Sequence, residues 1–111
     1  MDPIDAWRDL IERILSEHAA VPYANCDARS YVLFDRTHDR YALMDVGWRG
    51  AERVHGALVH VDILDGKVWV QYDGTEYGVA QELVDAGVPK DRIVLASKPA
   101  WVRPHTGFAT A

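Results

Sequence analysis

The sequence predicts an α+β fold: an antiparallel twisted sheet of about four strands, with an N-terminal and a later helix packed on one face. Three observations predict it. Apolar residues recur at helical spacing near the start and again after residue 78; short aromatic and β-branched runs fill the interval between; and an Asp65-Gly66 pair separates two alternating runs.

The first helix begins at Asp2-Pro3, a capping residue followed by a proline suited to a first turn. Ile4, Trp7, Leu10, Ile11, Ile14, Leu15 and His18 then fall on one face, with Trp7 assigned to the core. Asp5, Arg8, Asp9, Glu12, Arg13 and Glu17 fall on the other, where Asp9 and Arg13 have the spacing of an i,i+4 ion pair. Val21-Pro22 ends the segment.

Tyr31 to Phe34 and Arg40 to Trp48 read as a hairpin across the polar stretch Asp35–Asp39. Arg49 to Glu52 forms a second turn, and Arg53 to Leu64 alternates as a long strand. Asp-Gly suits a two-residue type I′ loop, whose twist matches that of the strands it joins. Leu64 then opposes Lys67, Ile63 opposes Val68, Val61 opposes Val70 and Val59 opposes Tyr72. His60 with Gln71 and Asp62 with Trp69 collect on the other side of the sheet. One face is therefore apolar and meets helices, and the other is polar and meets solvent or a partner.

After Asp73-Gly74, Thr75 is placed to cap a helix whose stripe is Val79, Ala80, Leu83, Val84 and Ala86, stopping at Gly87. Ile93 to Ala96 has the composition of a short edge strand. The remainder, from Lys98-Pro99, is rich in Pro and Gly and reads as an irregular tail. With no repeat or linker visible, residues 1–111 form a single domain, a size at which a second core would be too small to hold.

Composition narrows the function. A hydrophobic fraction of 49% supports a packed interior rather than disorder, and a net charge of −5 has the wrong sign for unaided attraction to a phosphate backbone. A lone Cys26 cannot form an internal disulfide, and the acidic start lacks the pattern of a secretory signal, so a cytoplasmic setting is expected. No run approaches the roughly 18 apolar residues of a membrane span.

Several blocks along the chain carry a resemblance. Asp45-Val-Gly-Trp48, Arg53-Val-His-Gly56, His60-Val-Asp-Ile63, Asp65-Gly-Lys-Val-Trp69, Gly74-Thr-Glu76 and Gly87-Val-Pro89 resemble, in order and spacing, the successive blocks of the XisI family, the fdxN element excision controlling factors. The resemblance runs from the first helix to Phe108-Ala109. It implies a small α+β fold and a non-catalytic accessory role beside an XisH-like partner in programmed excision of a DNA element in cyanobacteria. Because XisH-like proteins resemble nuclease relatives, it also implies restraint of such a partner.

Chemistry-bearing residues have plain structural explanations. His60 and Asp62 share a face, with His55 and Glu76 near in sequence, but a metal site needs three or four ligands and a polar sheet face produces such pairs unaided. Asp62, Asp65, Asp73 and Glu76 with Lys67 suggest magnesium-dependent cleavage, yet two of these acids are turn residues. Cys26 has no neighbouring base, Ser16, Ser30 and Ser97 have no elbow glycines, and the glycines, read as turns and caps, never take a phosphate-binding spacing. No catalytic residue, cofactor or metal is therefore expected.

Arg49, Arg53, Lys98 and Arg103, with Trp48 and Trp101, suggest either a nucleic-acid patch or the rim of a protein interface, and the acidic balance favours the interface. The partner-binding residues expected from this reading are Trp48, Arg53, His60, Asp62, Trp69 and Gln71, docking the XisH-like partner or a second copy in a homodimer. The alternative is a DNA-binding excision or transcription regulator.

Overall fold

Helix formation at the N-terminus follows from the apolar stripe, which must find cover. A computed structural model describes residues 3–24 and 26–111, and in it α1 spans Pro3–Ala19 with Ile11, Ile14 and Leu15 buried. Ile4, Trp7 and Leu10 pack at the margin of the same core. The expected Asp2 cap lies outside the described residues. The expected Asp9–Arg13 pair does not form. Arg36, from the first hairpin loop, reaches Asp9 at 3.0 Å and Glu12 at 2.7 Å, while Arg13 turns to Glu17 at 4.0 Å. A tertiary guanidinium that meets two carboxylates at once wins over a local pair weakened by solvent.

Four strands follow as a meander: β1 (Asp27–Asp35), β2 (Arg40–Arg49), β3 (Glu52–Leu64) and β4 (Lys67–Asp73). Asp65 and Gly66 both take positive φ, 52° and 75°, as a type I′ turn requires. The register it sets holds for Leu64↔Lys67, Ile63↔Val68, Asp62↔Trp69 and Val61↔Val70. It then breaks. A bulge at Gln71 pairs His60 with Tyr72 and Val59 with Asp73, in place of the expected Val59–Tyr72 and His60–Gln71 pairs. One inserted residue exchanges the faces of all that follow. Tyr72 is consequently outside and 53% exposed, and Asp73 is turned to the helix side.

That exchange determines how the second helix starts. Helix α2 spans Val79–Asp85 with Gly78 before it and no cap from Thr75. Asp73 takes the role instead: its Oδ2 accepts the Val79 N–H at 2.6 Å, and its Oδ1 accepts the Thr75 N–H at 2.9 Å and hydroxyl at 2.6 Å. Thr75 is thus held by the capping residue rather than capping the helix itself.

Beyond α2, a single 3-10 turn (Lys90–Arg92) leads into β5 (Ile93–Leu95), which pairs with β4 in parallel. Among the described residues the sheet has five strands in the order β1-β2-β3-β4-β5, one more than the four expected, and its last pairing is not antiparallel. The helical crossover accounts for this, since a strand returning after a helix packed on the sheet runs parallel to the one it left. The tail is not wholly irregular. It makes a 3-10 turn at Arg103–His105, and Ala109 bridges to Val94, donating its N–H to the Ile93 carbonyl at 2.9 Å.

The core lies between the helices and one sheet face. Tyr41, Leu43, Val59, Val61, Val68 and Val70 of the strands meet Ile11, Leu15, Val79 and Leu83 of the helices, all essentially closed to water. Gly47 is a strand residue and not a turn: a Cβ there would lie 2.1 Å from the Asp27 carbonyl oxygen, so only glycine allows β1 to approach β2 at this point.

Candidate protein-docking face

Strand alternation places Trp48, Arg53, His60, Asp62, Trp69 and Gln71 on the sheet face away from the helices. They do not form one cluster. Trp48 and Arg53 pair across β2 and β3 at one end, with the Arg53 guanidinium 5.1 Å from the centre of the indole. His60 pairs with Ala42, six residues along β2 from Trp48, a separation of roughly 20 Å at strand rise.

At the second end Asp62 is the hub. It is only 4% exposed, and its charge is met from several sides: His60 Nε2 lies 2.9 Å from Oδ1, the Gln71 amide donates to Oδ2 at 3.2 Å, and Arg40 approaches Oδ2 at 3.8 Å. The bulge makes this arrangement possible, because it lets Gln71 turn beside Asp62 while Tyr72 takes the position opposite His60. Asp62 thereby orients two neighbours that reach solvent, His60 and Gln71. Among the described residues no third His, Cys, Asp or Glu converges on the His60–Asp62 pair, and no buried side-chain nitrogen or oxygen lacks a hydrogen-bond partner.

Trp69 is half-buried. Its indole N–H donates to the Leu64 carbonyl at 3.3 Å, and the Arg103 guanidinium covers its ring at 5.8 Å. Arg103 also donates to the carbonyls of Ala96, Lys98 and Thr110. The segment after β5 therefore crosses this end of the outer face. Of the four basic residues considered together as a patch, Arg103 is engaged in this way on the tail, whereas Arg49 and Arg53 flank the β2–β3 turn.

Between the two ends lies a middle that the sequence reading did not assign. Tyr31 pairs with Met44 and Leu33 with Ala42 on the outward side, and Tyr31 and Leu33 are 46% and 54% exposed. The alternation was present in Ser30-Tyr-Val-Leu-Phe-Asp35, but a four-residue apolar run offers no anchor for its register until β2 is placed beside it. The face as a whole is an apolar and aromatic stretch between a Trp–Arg pair and a hydrogen-bonded polar group. That composition is typical of interface centres and rims.

The chain is a small α+β protein with helices on one sheet face and, on the other, a mixed apolar and polar surface that the tail crosses at one end. Comparison with known proteins gives the family: the model of the XisI protein family matches residues 1–110, and the chain belongs to it. Among solved structures, it is similar to a XisI-like protein from Anabaena variabilis ATCC 29413, with 32% identity over 96% of this chain and 97% of that one and a TM-score of 0.88. It is also similar to the fdxN element excision controlling factor XisI from the same organism, with 27% identity over 99% and 100% of the two chains and a TM-score of 0.85. No curated protein sequence matches the chain significantly. No helix among the described residues is long and apolar enough to cross a membrane.

Proposed function

We propose that this chain is a non-catalytic accessory factor that binds an XisH-like protein through the outer face of its sheet, and in doing so controls excision of a DNA element or restrains a nuclease-like partner. The observation that carries the reading is the row of exposed Tyr31 and Leu33 with half-buried Met44 between Trp48–Arg53 and the Asp62 group. An apolar centre with a satisfied polar border is the arrangement by which two proteins exclude water. Similarity to a structure named as an excision controlling factor supports the biological setting.

Co-expression with an XisH-like protein from the same genome tests it. Leu33→Asp and the Trp48→Ala/Arg53→Ala pair are expected to weaken capture at least tenfold while leaving the thermal midpoint of the free chain close to that of the parent, because these side chains are exposed. Undiminished capture by both variants would place the partner elsewhere. Tight, salt-sensitive binding of duplex DNA by the chain alone would favour a DNA-binding regulator instead.

A further inference from the structure

The two edges of the sheet are treated differently. At β5 the tail supplies Ala109 as a bridge to Val94, so that edge is covered. At the other edge, among the described residues, β1 pairs with β2 alone. Strand β1 is long and contains no proline, glycine or bulge, and Tyr31, Val32, Leu33 and Phe34 lie in its middle. Exposed edges of this kind normally carry a proline, a bulge or repelling charge; β1 has neither of the first two, and its Arg29 and Asp35 are of opposite sign, so they can pair across a second such edge.

We propose that β1 is a homodimerisation edge, pairing antiparallel with β1 of a second copy about a twofold axis at Val32, so that two sheets become one. The charges select that register. With Val32 on the axis, Arg29 of each copy stands opposite Asp35 of the other, and Tyr31 stands opposite Leu33 on the outward face. Moving the axis to Tyr31 sets Asp27 against Asp35 twice and leaves both Arg29 side chains against leucine, a repulsive arrangement. Arg29 is exposed and takes part in no ion pair among the described residues. Asp35 is held by the His38 backbone N–H and ring at the hairpin turn, and it remains half-exposed and able to accept a further donor. A strand adding to a free edge satisfies backbone groups on both sides, and an isologous contact closes after two copies, so the product is a dimer and not a fibre.

This edge adjoins the face assigned to the XisH-like partner and shares Tyr31 and Leu33 with it, so it is tested through Arg29 and Asp35, on the purified full-length chain with no partner present. Light scattering coupled to size exclusion at tens of micromolar is expected to give a dimer for the parent. Arg29→Asp and Asp35→Arg should each shift the protein to monomer, and the double swap Arg29→Asp/Asp35→Arg should restore the dimer, with near-ultraviolet circular dichroism confirming folded protein in each case. A monomeric parent, or dimers that persist in both folded single variants, overturns the proposal. Should Asp35→Arg fail to fold through loss of its turn contacts, Arg29→Asp alone decides between the two outcomes.

Discussion

Arg8 and Asp39 form a two-point fork: Nε lies 2.7 Å from Oδ1, and a terminal guanidinium nitrogen lies 3.0 Å from Oδ2. Asp39 sits at the tip of the first hairpin with φ of 55°, its carbonyl accepts the Ile63 N–H at 3.0 Å, and its carboxylate also accepts the Tyr41 hydroxyl at 3.0 Å. One residue thus ties α1, the β1–β2 turn and β3 together. Asp39→Ala should lower stability by about 1–2 kcal/mol in urea titration, as expected for lost charge-assisted bonds at a part-buried site. A double-mutant cycle with Arg8→Ala should show strong non-additivity.

The same pair makes the fold sensitive to acid. The bond from Arg8 is the main reason that the Asp39 carboxyl titrates below its ordinary value, with burial opposing and the Tyr41 hydroxyl assisting. A group whose folded value is depressed contributes stability above its unfolded value, ~3.9, and loses it as pH falls through the lower folded value. The urea midpoint should therefore fall below about pH 4, and that fall should be shallower in Asp39→Asn.

Gly47→Ala tests the close approach of β1 to β2. With Asp27 and Ala28 backbone atoms where the methyl must go, the substitution should cost about 3 kcal/mol or prevent folding. Gly56→Ala is the control. Gly56 is also a strand glycine, but it has open space around it, and calorimetry should show a change of less than about 1 kcal/mol.

Asp73→Ala removes the carboxylate that starts α2 and orders Thr75. A loss of about 1–2 kcal/mol is expected from the cap. Thr75→Ala, which leaves the bond to Val79 intact, should cost less. Hydrogen exchange of the Val79 and Ala80 amides separates the two, accelerating only in the first variant.

The parts of the fold that could be read from the sequence are those set by short-range chemistry. The Asp65-Gly66 turn carried the register to Val61↔Val70 because both residues tolerate left-handed backbone. It could not carry the register past Gln71. Nothing in Val-Gln-Tyr-Asp marks a bulge, and the reason for one, Asp73 reaching the α2 N–H groups, becomes visible only with the helix in place. The parallel pairing of β5 was hidden similarly, since three residues hold no sign of direction. At the outer face the six expected residues share one side, but their division into two ends depends on the β2–β3 register. The burial of Asp62 depends on Arg40 and Gln71, whose approach no local spacing encodes.

The meander from β1 to β4 joins neighbours in the chain, whereas β5 and its Ala109 bridge must wait for a helical crossover. Pairing between segments distant in the chain forms late. During refolding, the β5 border should therefore close after the hairpins, onto a four-stranded meander that already presents its opposite margin.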